Sequence, residues 1–407
     1  MTRPGQDTPG GEGTAPEQGR LPTSIETDLI TVGRRHNGAS LAPVVNASST
    51  FALSSVEEGR RMALSSQATA FYSRYGNPTV NDFEEAVADL ERAEAARAFG
   101  SGMGAIAAAV LGLCSNGDHI VAQKQLYAGT QMLLNSVCPR MGIEVTFVDG
   151  TDPGAWAEAV IPGRTMVLLA ETPANPRLDL VDLRALGEVK GPMKVVDSTF
   201  ATPLAQRPLE LGCDLVIHSV TKFLGGHNDV TLGVAAGARD LIDWLWGFAV
   251  LQGAVASPHE AAAATRGLRT LGVRLRRQSE SAARIAAALE EDPRVESVRY
   301  PGLPSHPQHD LAVRQMALMG GLVTFDVVGG LEAGSSLVEA TRICRLATSL
   351  GGPETLVTHP ASTTHVSLLP EELAAAGIGA GTIRMSVGLE DPEDLLADLD
   401  AALGTPP

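Results

Sequence analysis

The chain has 407 residues with 31 basic against 47 acidic side chains, a formal charge of −16. A single hydrophobic core stops growing at about 250–300 residues, so at least two packed regions are expected. The acidic balance repels nucleic acid and anionic membrane surfaces, which leaves a small molecule as the expected partner.

The first 24 residues, MTRPGQDTPGGEGTAPEQGRLPTS, are rich in Pro, Gly and Thr and carry no apolar run. Such a segment cannot offset its chain entropy and reads as a disordered tail without a secretory signal. Residues 25–76 lack long periodicity and read as an extended arm with a short helix over 56–64. Residues 77–270 alternate helical patterns with short apolar runs: VNDFEEAVADLERA (helix), AARAFG (strand), GAIAAAVLGLC (helix), HIVAQ (strand), then the strands IEVTFVD, TMVLLAE, KVVDS and LVIHS. Nearly continuous apolar strands separated by helices predict an α/β domain with a mainly parallel sheet covered on both faces. A long helical stretch from His259 to Leu289 crosses into residues 271–407, where RVESVRY, GLVTFDVV and TIRMSVGLE, separated by helices, predict a smaller C-terminal α+β domain.

The longest apolar stretch, Ala105 to Cys114, is too short to span a bilayer and contains a glycine. Cys114, Cys138, Cys213 and Cys344 form no CxxC pair, which fits a reducing compartment and argues against a disulfide framework. A cytoplasmic protein is expected. His306 and His309 form an HxxH in the Pro-rich loop SHPQH, but two ligands do not complete a zinc site, and no metal is expected.

Ligands of parallel α/β sheets gather outside the carboxyl ends of the strands, and three such ends carry polar groups. After AARAFG comes Gly100-Ser101-Gly102-Met103-Gly104 and a helix. This is either an anion site at a helix N-terminus or a glycine turn that merely packs; its spacing is GxGxG, not the GxGxxG of dinucleotide sites. Asp197 ends KVVD, as a cap or ion-pair partner, or as the buried carboxylate that keeps a pyridinium nitrogen protonated. Lys222 follows the apolar run LVIHS with Ser219 and Thr221 before it. Of the basic side chains only Lys124, Lys190, Lys194 and Lys222 are lysines. A lysine in an apolar setting of an arginine-rich chain suits an amine that must deprotonate and attack a carbonyl, although a surface lysine at a strand end has the same signature. Ser219 and Thr221 alternate with Val220, so their hydroxyls can face one side, toward an anion that the Gly102 loop also approaches.

A glycine loop, a strand-end Asp and a strand-end Ser-x-Thr-Lys follow the chain order of the aspartate-aminotransferase-like (fold type I) pyridoxal 5′-phosphate (PLP) enzymes. The sequence resembles their Cys/Met-metabolism family: the cystathionine γ-synthases and γ-lyases, methionine γ-lyases and O-acylhomoserine sulfhydrylases. Eight segments carry the likeness in order: YSRYGNPT (72–79), SGMGAI (101–106), LYAGT (126–130), ETPANP (171–176), VDSTFATP (196–203), HSVTKFLGGHND (218–229), SLGGPETLVTHPASTTH (349–365) and IRMSVGLED (383–391).

The resemblance implies roles residue by residue. Lys222 forms the Schiff base with PLP and shuttles protons, and Asp197 pairs with the ring nitrogen. Gly102, Met103, Ser219 and Thr221 hold the phosphate. Tyr127 stacks on the ring and serves as acid or base toward the leaving group. Tyr72 and Arg74 reach the phosphate from a neighbouring subunit, so a homo-oligomer is expected, a tetramer built as a dimer of dimers with shared active sites. Arg384 grips the substrate α-carboxylate, aided by Ser349 and Asn175. His227 and His365 are read as structural.

Within that family, ETPANP, Ser257-Pro258-His259 and HPASTTH are more similar to the methionine γ-lyases and sulfhydrylases than to the cystathionine enzymes. Gly129 stands where methionine γ-lyases commonly carry Cys, and Ala249 and Val250 stand where they carry Lys-Asp. Thr348 matches neither group. With Trp244 and Trp246 nearby, these departures suggest a specialised γ-substituted substrate, including one whose leaving group is not sulfur. The expected reaction is γ-elimination on a methionine-, homocysteine- or cystathionine-like amino acid. The alternative is γ-replacement on an O-acylhomoserine with a thiol or sulfide. A PLP-binding protein without catalysis fits less well, because Lys222 and Tyr127 are both present and no basic DNA-binding segment is added.

Overall fold

The structure is a computed structural model that describes residues 23–65, 68–363, 366, 373 and 377–404. All of the expected tail except Thr23 and Ser24 lies outside the described residues, as does His365.

The larger sheet has seven strands: β1 (Ala95–Phe99), β2 (His119–Gln123), β3 (Glu144–Val148), β4 (Thr165–Glu171), β5 (Met193–Asp197), β6 (Leu215–Ser219) and β7 (Gly233–Gly237). Their order is β1-β7-β6-β5-β4-β2-β3. All neighbours are parallel except β7, which runs antiparallel to both β1 and β6. The strands run between two helical layers, so alternate side chains of one strand enter different cores: Val216 of β6 packs with Phe83, Val87, Leu268 and Leu271, whereas Ile217 packs with Ile106, Val110 and Leu245. Covering both faces is what makes these strands read as continuous apolar runs rather than alternating ones.

Strand β7 has no counterpart among the predicted strands. Its sequence, GVAAG, is built from residues depleted in strands, so propensity points elsewhere. Smallness is what the position demands: a Cβ on Gly233 would lie 2.1 Å from the Ser101 carbonyl oxygen, and one on Gly237 2.6 Å from that of Asp214.

The helix Pro78–Glu91 starts where expected for its chemistry. The Asn77 side chain accepts from the Thr79 N–H, and proline opens the first turn. Its apolar face packs on the helix Pro258–Glu290, a single element of 33 residues that leads out of the large sheet. Leu268, Leu271 and Leu275 of that helix belong to the large core; Ala282, Ile285 and Leu289 belong to the core of the second sheet. The border expected at 270 therefore falls inside one continuous helix, whose buried face passes from one core to the other between Leu275 and Ala282.

The second sheet comprises β8 (Val295–Arg299), β9 (Leu322–Val327), β10 (Arg345–Leu346), β11 (Leu356–Thr358) and β12 (Thr382–Ser386), in the order β10-β11-β12-β9-β8. All its pairings are antiparallel except that of β10 with β11. The fold is the two-domain, mainly parallel α/β architecture with a smaller α+β domain that the sequence predicts. Side chains of the smaller domain hold the loop after β4: the Gln308 amide accepts from Leu180 N–H (2.7 Å), the Gln315 amide from Leu183 N–H (2.9 Å), and Thr324 donates to the Pro176 carbonyl. No helix among the described residues is long and apolar enough to cross a membrane.

Candidate active site

The carboxyl ends of β1, β2, β4, β5 and β6 face a cavity of about 420 Å³, closed on one side by Thr348, Ser349, Leu350 and Arg384 of the smaller domain. Its walls bring together Gly102, Met103, Tyr127, Asn175, Asp197, Ser219, Thr221, Lys222, Ser349 and Arg384, ten of the twelve predicted site residues.

At one end the helix Gly102–Leu113 points its N-terminus into the cavity. Ser101 caps it, its hydroxyl accepting from Gly104 N–H at 3.0 Å, and the first N–H groups of a helix have no intrahelical acceptor. A Cβ on Gly102 would come within 2.7 Å of the Ser219 Cβ, so only glycine lets this helix end approach the Ser219 hydroxyl. Thr221 is fixed by Leu232, donating to its carbonyl (3.3 Å) and accepting from its N–H (3.0 Å). Helix N–H groups, hydroxyls and the helix dipole converge on one place, an arrangement suited to a phosphate dianion.

Asp197 ends β5 in a half-buried position. One carboxylate oxygen accepts from the Thr199 N–H at 3.0 Å and from the Thr199 hydroxyl. Burial pushes its pKa upward, opposed by the Thr199 hydrogen bonds and by His218. Thr199 also accepts from Ser219 N–H at 2.8 Å and so links the Asp197 end of the site to the Ser219 end.

Lys222 lines the same cavity. Its Nζ donates to the Ser349 hydroxyl at 2.7 Å, across the domain boundary. Burial, then the nearby Arg384 charge, pushes its pKa down to about 8, which makes the neutral amine available near physiological pH. Ser349 adopts φ 78°, a left-handed conformation that costs a residue with a Cβ about 1–3 kcal/mol and is found where the surroundings over-determine it. Next to it, a Cβ on Gly351 would lie 2.6 Å from the Phe223 nitrogen, so this loop rests directly on the backbone that carries Lys222.

Arg384, in the middle of β12, is buried with a relative exposure of 4%. It donates from Nη1 to the Asn175 side-chain oxygen (3.0 Å) and from Nη2 to the Ser349 carbonyl (2.9 Å), while its buried Nε has no acceptor among the described residues. A buried guanidinium that lines a cavity and keeps donor capacity beyond its two bonds is suited to a carboxylate. Burial lowers its pKa to about 10, opposed by Tyr127 and Glu171.

Tyr72 and Arg74 are not brought to this cavity. Arg74 donates to the Val250 carbonyl (2.8 Å) and sits over the Tyr72 and Tyr75 rings at 5.5 and 5.3 Å. Trp246 donates to the Tyr75 carbonyl (2.7 Å), and Trp244, largely exposed, to the Gly112 carbonyl (2.7 Å). Ala249 and Val250 are buried in the helix Arg239–Gln252, outside the chain's own cavity, whereas Thr348 lines it. Gly129 lies under Tyr127, where a Cβ would be 2.5 Å from a ring carbon. His227 bonds to the Gly225 carbonyl (2.8 Å), His309 to that of Pro301 (3.0 Å), and His306 accepts from Gln308 N–H (3.2 Å).

Glu171 and Thr199 are residues of the site that the sequence reading passed over. Glu171 ends β4 as Asp197 ends β5, and the two pair across the sheet. The strand-end argument that singled out Asp197 applies to it equally.

An amine, an anion site at a helix N-terminus, a strand-end carboxylate and a carboxylate-binding arginine, on this two-domain scaffold, match what PLP requires of a protein. They define a PLP-dependent enzyme of the aspartate-aminotransferase-like fold. The chain belongs to the family of Cys/Met metabolism PLP-dependent enzymes, whose pattern matches residues 26–404. It is 44% identical over 372 residues to the L-methionine gamma-lyase of Treponema denticola, covering 89% of this chain and 92% of that one. It is 45% identical over 335 residues to the O-succinylhomoserine sulfhydrylase of Pseudomonas aeruginosa, covering 82% and 83%. The solved cystathionine gamma synthase of Xanthomonas oryzae pv. oryzae, in complex with aminoacrylate and cysteine, superposes with a TM-score of 0.88 at 37% identity, over 94% of this chain and 98% of that one.

Proposed function

We propose that this enzyme eliminates the γ-substituent of an L-amino acid of the methionine or homocysteine type, giving a 2-oxoacid, ammonia and the released γ-group. The observation that carries this reading is the charge inventory of the cavity. Its charged lining residues are Glu171, Asp197, Lys222 and Arg384. With Lys222 as base and Arg384 on the α-carboxylate, the described walls of this chain hold no further cation for a second carboxylate, so an uncharged γ-substituent suits them better than a succinyl ester.

Bound PLP supplies an electron sink for the bond broken at Cα, and its phosphate suits the Gly102, Met103, Ser219 and Thr221 end, with Asp197 at the ring nitrogen. Arg384 and Asn175 orient the α-carboxylate, which aims the Cα–H at Lys222. The Lys222 amine takes that proton and, after passing it on, takes a second from Cβ as the Cγ bond to the leaving group breaks; a proton held at Lys222 then returns to Cγ. Tyr127 faces the same cavity and delivers a proton to the departing group. Water then releases ammonia from the remaining carbon skeleton, which leaves as the 2-oxoacid. Tyr72 and Arg74 act on the phosphate of a neighbouring subunit, a role supported by their place outside their own cavity; a homotetramer with shared sites is the corresponding assembly.

A second reading, γ-replacement, is favoured by the likeness to a sulfhydrylase and to a synthase. Incubating the purified holoenzyme with a panel of γ-substituted amino acids, with and without thiol, separates the two. Release of 2-oxoacid and ammonia without thiol supports elimination. Thioether formation with no 2-oxoacid overturns it.

A further inference from the structure

Glu171 is the one charged group of the cavity to which the reaction assigns no task. It is buried, with 4% relative exposure, and it ends β4 directly opposite Asp197. Its two oxygens serve different segments. Oε2 accepts from the Tyr127 N–H at 2.7 Å, and Oε1 accepts from the Asn175 N–H at 2.9 Å. Asn175 in turn receives Arg384 at 3.0 Å. The backbone of Glu171 is itself clamped by the buried Gln123 side chain at the end of β2, which accepts from Glu171 N–H (3.0 Å) and donates to its carbonyl (2.9 Å).

We propose that Glu171 is a positioning residue: its carboxylate ties the backbone of Tyr127 to that of Asn175 and so holds the ring-facing phenol at a set distance from the Asn175–Arg384 grip on the substrate carboxylate. The proposal rests on the roles given to Tyr127 and Arg384 above. Both N–H groups lie in loops beyond strand ends, where no ladder partner awaits them, and a carboxylate is the side chain that offers two acceptors at this reach. The arrangement is costly to the fold. A buried carboxylate beside Asp197 is desolvated and repelled, and these two effects push the Glu171 pKa upward, opposed by the Tyr127 and Asn175 N–H groups and the Arg384 charge, which favour the carboxylate. Among the described residues no lysine or arginine hydrogen-bonds to it in compensation. A glutamine would fit the same space without the repulsion, but its NH₂ would confront one of the two N–H donors.

Function and stability should therefore part company. The Glu171→Gln holoenzyme is expected to melt at the wild-type temperature or above it. Its kcat should fall and its KM rise, with kcat/KM lower by about tenfold to a hundredfold, the scale of a displacement on the order of 1 Å near the reacting atoms. Visible circular dichroism of bound PLP should change with the Tyr127 segment, and the rate of cofactor loss on dilution should rise. Glu171→Asp, which keeps both acceptors one methylene short, should recover part of each loss. Glu171→Ala should lose the most. The proposal is overturned if Glu171→Gln and Glu171→Ala keep kcat and KM within about twofold of wild type with an unchanged dichroism. Should Glu171→Gln fail to fold, Glu171→Asp decides by the same criteria. If the wild-type enzyme eliminates no γ-substituent from any amino acid, the functional reading fails by itself, and Glu171 is still judged by dichroism and cofactor loss.

Discussion

Lys222 illustrates how little of a functional residue lies in its own side chain. Its neighbours make it reactive: burial and Arg384 destabilise the ammonium, and Ser349 receives the amine from the other domain. A measurable consequence is the pH at which the apoprotein takes up PLP. Only the neutral amine attacks an aldehyde, so the uptake rate, followed by visible absorbance, should rise as pH increases and level off above about 8, the pKa the site imposes. An ordinary lysine would keep rising toward about 10.4. In Lys222→Ala, turnover and the lysine-dependent absorbance should both be lost.

Among the elements, the contact between the helix Gly102–Leu113 and strand β6 shapes the end of the cavity proposed for the phosphate. The helix comes close because position 102 has no Cβ, and β7 admits the same turn because position 233 has none. Gly102→Ala should push the helix end away from Ser219. A loosened set of anion contacts should weaken PLP binding about tenfold to a hundredfold, corresponding to about 1.4–2.7 kcal/mol, measured by equilibrium dialysis of the cofactor. Thermal stability of the apoprotein should drop much less than this, since the collision is confined to the mouth of the cavity.

Considered whole, the molecule joins its two cores through one long helix and several loop contacts, and it is across this joint that Ser349 and Arg384 meet Lys222 and Asn175. Neither Tyr72 nor Arg74 lines the chain's own cavity. If they complete a neighbour's site, two inactive proteins should rescue each other. Mixing Arg74→Ala with Lys222→Ala and refolding together at equal concentration should restore about a quarter of the wild-type sites, since in a two-fold pair one site of each hybrid receives both defects and the other none. Activity no greater than the sum of the separate variants would mean that Arg74 serves its own chain.

Much of this was legible in the residues alone. The α/β pattern, the smaller second domain, the Lys222 and Asp197 strand ends and the glycine loop all follow from local signals: hydrophobic period, strand-end placement and turn chemistry act over a few residues. Strand β7 was not legible, because Gly and Ala were placed there by the closeness of the Ser101 turn, a contact with a segment more than a hundred residues away in the chain. Glu171 was visible as a motif letter, but its task depends on which N–H groups the folded loops aim at its two oxygens. By itself the sequence determined the family and the cofactor, and it named ten residues that the fold brings to one cavity. Only the tertiary structure decided which side chains act through others and on which side of the joint each lies, because those relations are distances between segments that meet only when both cores have packed.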